Sequence, residues 1–164
     1  MAKVYLAGPD IFYEDALKIG KEKKAICAKW GLEGVYPLDW QDMERYGKFA
    51  PSVIYSLDVA AIRSCDAILA NIEPFRGPSC DVGTAVEIGY AAALLKPVFA
   101  YTTDYRTYQE KWEIILEDIL PGGVAFPWYR EWYSGVEDFD LVDNLMIAIP
   151  PKIICYTFLD AVRE

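Results

Sequence analysis

Three acids, Asp58, Asp81 and Glu87, have the types and spacing to work together. Two or three carboxylates around one cleft are the equipment of glycosidic-bond chemistry. One attacks or stabilises the anomeric carbon, and another handles the proton of the leaving group. Each acid also has an ordinary structural use. Thr84-Ala85-Val86-Glu87 matches a capping box, Asp81 suits an N-cap, and Asp58 suits the solvated face of a helix. Asp66, at the start of a strand-like run, reads as structural. The chain contains no histidine, which excludes Ser-His-Asp and Cys-His catalysis and histidine proton relays. Acid–base work near neutral pH then falls to carboxylates, Tyr, Lys or Cys. Without histidine, and with no DxD-type cluster at a strand end, the residues point away from a metal-dependent hydrolase. Neither a metal nor a cofactor is expected.

The elements that must position these acids follow from hydrophobic periodicity. Residues 3–7 read as a first strand closed by Gly8-Pro9, and about 12–30 as a helix ended by Gly31. Val35-Tyr36-Pro37 looks like a short second strand, and 38–50 like a loop. A helix is expected over 51–64, a buried strand over 66–72, an Ala-rich helix over 82–95 and a strand over 97–101. Beyond these, 107–120 reads as a helix, 121–135 as loop, and 141–163 as helix broken near Pro150-Pro151. The alternation predicts a parallel sheet covered by helices on both faces, a single domain spanning 1–164. Ligands of such sheets bind at the carboxyl ends of the strands. Gly8–Phe12, Asn71–Asp81 and the start of the 82–95 helix converge there. Gly8 joins the candidate site in this way, with Phe12, Trp40 and Phe75 as stacking walls for a flat ligand or, equally, as ordinary core.

The chain has 164 residues, 54% of them hydrophobic, and a net charge of −9. That suits one compact domain, and the acidity argues against nucleic acid or an anionic membrane as partner. No apolar stretch is long enough to span a bilayer. The opening residues run directly into a strand pattern, with no secretory signal. Cys27, Cys65, Cys80 and Cys155 show no CxxC spacing and read as reduced thiols of a cytoplasmic protein. Neither GxxxxGK[ST] nor GxGxxG is present, so no phosphate loop or dinucleotide fingerprint is supported.

Several segments, taken in order, resemble the nucleoside 2-deoxyribosyltransferases. They are Tyr5-Leu6-Ala7-Gly8-Pro9, Pro37-Leu38-Asp39-Trp40-Gln41, Asp58 followed by Asp66, the run Asp81-Val82-Gly83-Thr84-Ala85-Val86-Glu87-Ile88-Gly89-Tyr90-Ala91, and, more weakly, Asn144-Leu145-Met146. The resemblance implies a flavodoxin-like (Rossmann-like) fold and a two-step exchange of purine or pyrimidine bases on deoxynucleosides. It implies Glu87 as nucleophile, Tyr5 as the group that orients it, and Asp58 as the residue serving proton transfer at the base. Gln41 would help hold the base and Asp81 the sugar hydroxyls. Asn144 and Met146 would reach a neighbouring subunit's site, so a homo-oligomer with shared sites is implied. Residues 102–140 read as an insertion relative to shorter bacterial members. Two other readings stand beside this one: a 2′-deoxynucleoside 5′-monophosphate N-glycosidase, and a catalytically silent nucleotide-sensing domain on the same fold.

Overall fold

The computed structural model describes residues 1–40, 51–119 and 135–164. Its frame is one sheet of five parallel strands. These are β1 (Ala2–Ala7), β2 (Leu32–Val35), β3 (Ala67–Asn71), β4 (Val98–Tyr101) and β5 (Ile154–Cys155), in the order β2-β1-β3-β4-β5. That is the flavodoxin-like order, with its switch point between β1 and β3. Strand alternation divides the core in two. Tyr5, Ala7, Ile68 and Ala70 face one layer, where they meet Ala61 and Ile62 of α2 (Pro51–Ser64) and Ile88 and Ala91 of α3 (Val82–Ala93). Val4, Leu6 and Leu69 face the other, against Cys27 of α1 (Ala16–Lys29) and Phe158, Ala161 and Val162 of a C-terminal helix, Phe158–Arg163. Among the described residues, two further helices lie between β4 and β5: α4 (Tyr108–Ile119) and the single turn α5 (Leu145–Ala148), so the C-terminal helix is labelled α6.

Most sequence expectations fall within a few residues of the elements observed, with three corrections. The expected helix from residue 12 is a 3-10 turn, Pro9–Phe12, followed by α1 from Ala16. The second strand precedes Tyr36-Pro37 instead of containing it. The third correction is in the C-terminal region, where 141–163 is not a broken helix but α5, β5 and α6. Lys152 N–H reaches the Val98 carbonyl at 2.8 Å directly after the two prolines, and this aligns Ile154 and Cys155 beside β4. The expected loop over 121–135 lies almost wholly outside the described residues.

The loop after β1 is tied down tightly. A Cβ on Gly8 would stand 2.6 Å from Asn71 Cβ and 2.7 Å from Asp10 Oδ2, so the close approach of the β1 and β3 ends needs glycine there. Buried Asp10 accepts hydrogen bonds from Lys23 Nζ at 2.5 Å and Asn71 Nδ2 at 3.3 Å. All four cysteines are free and buried, with Cys27 on the α1 side of the sheet and Cys65 and Cys80 on the α3 side. Among the described residues, no helix is long and apolar enough to cross a membrane, and no cluster of three or more Cys, Asp or Glu side chains has the arrangement to hold a metal ion.

Candidate active site

Tyr5 is fully buried in the middle of β1, between Val35 of β2 and Ile68 of β3, and its ring points into the α2–α3 layer. Its hydroxyl donates to Glu87 Oε1 at 2.6 Å. Glu87 reaches it because of where it stands on α3. Thr84, Ile88 and Ala91 are the buried positions of that helix, and Glu87 falls in the same i, i+3, i+4, i+7 stripe. An acid occupies a face that packing would give to an apolar residue. Burial, helped by the negative charges of Asp58 and Asp81, pushes the Glu87 carboxyl up to about 8, with the Tyr5 hydrogen bond acting in the opposite direction.

The capping-box reading of Thr84–Glu87 does not hold. The N-cap of α3 is Asp81, whose Oδ2 accepts from Gly83 N–H at 2.9 Å and Thr84 N–H at 3.2 Å. Thr84 is therefore already in the first turn, and Glu87 is released for Tyr5. Asp58 projects from α2 toward the same place. Among the described residues its buried Oδ1 meets no hydrogen-bond partner, and neither does the buried Trp40 Nε1. Burial raises the Asp58 carboxyl above the usual range, and the nearby Trp40 N–H and Tyr5 hydroxyl draw it part of the way back. Tyr5 is pushed far above its ordinary value by burial and by the charges of Glu87 and Asp58, so it stays protonated as a donor.

Between α2 and α3 lies a cavity of about 370 Å³ lined by Asp58 and Glu87, with Tyr55, Val59, Ile62, Val86 and Tyr90 as its walls. That is within the size range of a small-molecule site, and its mix of apolar walls with a few convergent polar groups is typical of one. The wall residues were not singled out from sequence. They had a signal: Tyr55, Asp58, Val59 and Ile62 form a helical stripe on α2, and Gly83, Val86, Glu87 and Tyr90 form its counterpart on α3. Arg63 Nε donates to the Tyr90 hydroxyl at 2.5 Å and fixes that wall from outside.

The other candidates are dispersed. Phe12 and Phe75 stack on each other, centroids 5.3 Å apart and 15° between planes, with the Arg76 guanidinium over both rings. Neither lines the cavity, nor does Gly8. Asn144 caps α5 through Oδ1, which accepts from Met146 N–H at 3.0 Å, and its Nδ2 donates to Glu137 at 2.9 Å. Met146 is 70% exposed. Gln41 lies outside the described residues. Asp66 accepts from Lys3 N–H at 2.8 Å at the amino end of the sheet, away from this cavity.

Known proteins share this fold. A 2-deoxyribosyltransferase from Leishmania mexicana superposes with a TM-score of 0.72 at 27% identity, over 99% of this chain and 95% of that one. A 2-deoxyribosyltransferase from Bacillus psychrosaccharolyticus superposes with a TM-score of 0.51 at 29% identity, over 61% of this chain and 72% of that one. An uncharacterised protein of Schizosaccharomyces pombe is 42% identical over 114 residues, 66% of this chain, and the match spans about half (53%) of that relative's length. The sequence pattern of the nucleoside 2-deoxyribosyltransferases matches residues 4–146, from the strand that carries Tyr5 to the exposed Met146. The chain belongs to the nucleoside 2-deoxyribosyltransferase family.

Proposed function

We propose that the protein exchanges the base of 2′-deoxyribonucleosides through a covalent deoxyribosyl ester on Glu87, with retention at C1′. The observation that carries this reading is the Tyr5–Glu87 hydrogen bond of 2.6 Å, made across from Asp58 at one apolar cavity. Tyr5 aims one carboxylate oxygen and leaves the other for attack. A Glu87 oxygen bonds to C1′ as the C1′–N bond breaks, and the departing nitrogen takes its proton from Asp58. A second base then attacks C1′ from the vacated side, the ester C–O bond breaks, Glu87 is regenerated as carboxylate, and the proton of the incoming base returns to Asp58. The productive state carries one proton on two acids. Mutual repulsion between the two favours this, so their titration belongs to the pair. A sugar without a 2′-hydroxyl forms the oxocarbenium-like transition state more readily, which suits a deoxy substrate.

Asp81 is taken to bind the sugar hydroxyls. Its negative charge would repel a 5′-phosphate, so nucleosides are favoured over their monophosphates. Water competing at the ester would give slow hydrolysis. Gln41 and Trp40 are assigned to the base; Phe12, Phe75 and Gly8 lie off the cavity lined by Asp58 and Glu87 and would meet a substrate only where it extends beyond that cavity. Asn144 and Met146 are assigned to contacts across a homo-oligomer interface, and a cytoplasmic location fits four buried free thiols.

The test combines substitution with trapping. Glu87→Gln should lose at least about three orders of magnitude in exchange between a deoxynucleoside and a second free base. A 2-fluoro-2-deoxynucleoside should add one sugar mass to the wild-type peptide that holds Glu87. Near-normal exchange by the variant would sink the assignment. Turnover of a deoxynucleoside monophosphate in preference to the nucleoside would instead favour the N-glycosidase.

A further inference from the structure

Asp143 is 1% exposed, yet it lies on neither face of the cavity. Its Oδ1 accepts from Ser79 Oγ at 2.6 Å and from Asn144 N–H at 2.7 Å, and its Oδ2 accepts from Cys80 N–H at 2.9 Å. Burying a carboxylate is costly unless donors surround it, and a packed apolar residue would often stabilise as much. What this carboxylate adds is geometry. Ser79 and Cys80 directly precede Asp81, the cap of α3, and Glu87 stands on the second turn of that helix. The turn itself is irregular: Phe75 N–H bonds the Ser79 carbonyl at 2.9 Å, and Arg76 has φ of 56°. Among the described residues, the hydrogen bonds that tie Ser79, Cys80 or Asp81 to a distant part of the chain are the two made to Asp143. The far side is anchored as well. Lys111 Nζ donates to the Val142 carbonyl at 2.7 Å, fixing the residue before Asp143 to α4.

We infer that Asp143 is a positioning residue for the reaction: from the C-terminal segment it holds the Ser79–Asp81 turn, and through that turn the placement of Asp81 and Glu87 against Tyr5. This rests on the reading of Glu87 and Asp81 given above. Displacements of an ångström at a reacting group cost about a hundredfold in rate, so the effect on chemistry should exceed the effect on folding.

The test compares Asp143→Asn and Ser79→Ala with Lys111→Met. The last variant loosens the same segment but keeps every bond to Asp143. Donor kcat/KM is measured with the best of the four common 2′-deoxynucleosides, with adenine or cytosine as acceptor, alongside the Kd of that free base. Amide hydrogen exchange at Gly83 and Thr84, the two N–H groups held by Asp81, is followed in parallel. Asp143→Asn is expected to lower donor kcat/KM by about tenfold or more, leave the base Kd within about twofold, and speed exchange at Gly83 and Thr84. Ser79→Ala should show the same pattern more weakly, and it carries the test if Asp143→Asn does not fold. Lys111→Met should change neither the exchange at these two amides nor kcat/KM beyond what its loss of Tm explains. The inference is overturned if Lys111→Met loses as much as Asp143→Asn, if the loss falls on base Kd and kcat/KM alike, or if exchange at Gly83 and Thr84 is unchanged in the Asp143 and Ser79 variants. Should the wild type transfer no deoxyribose to any acceptor, the proposed function fails, and the exchange measurement still decides whether Asp143 holds the turn.

Discussion

At Glu87 burial and hydrogen bonding pull against each other, and both can be read from pH. The value of about 8 means that the carboxylate needed for attack is a minority form at pH 7. Because the productive state keeps one proton on the pair, donor kcat/KM should fall with pH along an alkaline limb near 8 as that proton is lost, with no histidine to supply the limb. The Tyr5 bond favours the charged form, so Tyr5→Phe should move the limb to higher pH. Asp58 contributes a repelling charge, so Asp58→Asn should replace that limb with a rising one at lower pH, where Glu87 alone ionises, while also slowing the reaction by loss of the proton donor. Limbs that move the other way would reject this account of the pair. The same shift has a cost in stability. Between the ordinary value of 4.5 and about 8, native Glu87 holds a proton that the unfolded chain has released, so stability falls as pH rises through that window. Glu87→Gln removes the effect. It should exceed wild type at pH 8 by on the order of 2 kcal/mol, a gain of several degrees in Tm, and match it near pH 4. Thermal unfolding at the two pH values checks this. Gain of stability with loss of activity is the trade expected of an acid placed where packing prefers an apolar side chain.

At the scale of elements, α3 carries two functions on adjacent turns, and Asp81 joins them. As an N-cap it is replaceable, since Asn caps about as well, whereas Ala costs about 1 kcal/mol. Asp81→Asn should therefore leave Tm within a degree or two and still lower donor kcat/KM by about tenfold or more, if the charge serves the sugar. Equal stability and equal activity would reduce Asp81 to a cap. These helices also show what the sequence made legible. The β–α alternation and the α2 span from Pro51 to Ser64 were readable, because buried strands and amphipathic helices leave strong periodic patterns; Tyr5 joined the three acids only through the family resemblance, since nothing in the period of β1 marks its hydroxyl. β5 was not readable, because two residues have no period and their pairing is set by the distant β4. The mutual stacking of Phe12 and Phe75 was hidden for a similar reason: residues 12 and 75 meet only once β1 and β3 are paired. Capping-box spacing misled at Thr84 because an acid that caps stood three positions earlier.

At the scale of the whole molecule, the surface holds a feature that composition concealed. Val82 and Val86 of α3, with Met146 and Ile149 at α5, are exposed large apolar side chains on helices that touch each other. Exposed apolar side chains on two touching helices would suit the proposed homo-oligomer, since apolar patches mark association sites. Sedimentation equilibrium should give a species larger than one chain at micromolar concentration. Val82→Glu should weaken that association by about tenfold or more without lowering helix stability, because an acid is favoured in a first turn. A wild-type protein that sediments as one chain at all concentrations would remove the shared-site arrangement.

The four cysteines give the same molecule a set of internal clocks. Each thiol is shielded while the layers are closed, and each marks a different place: Cys27 under α1, Cys65 at the end of α2, Cys80 beside the cap of α3, Cys155 in the last strand. A maleimide probe should find little to label in the native state, and opening of any layer would expose its own reporter. The order in which the four peptides acquire label under mild denaturant would map which part of the molecule loosens first. Protection of Cys80 on adding a deoxynucleoside would report occupancy without any chemistry having to occur.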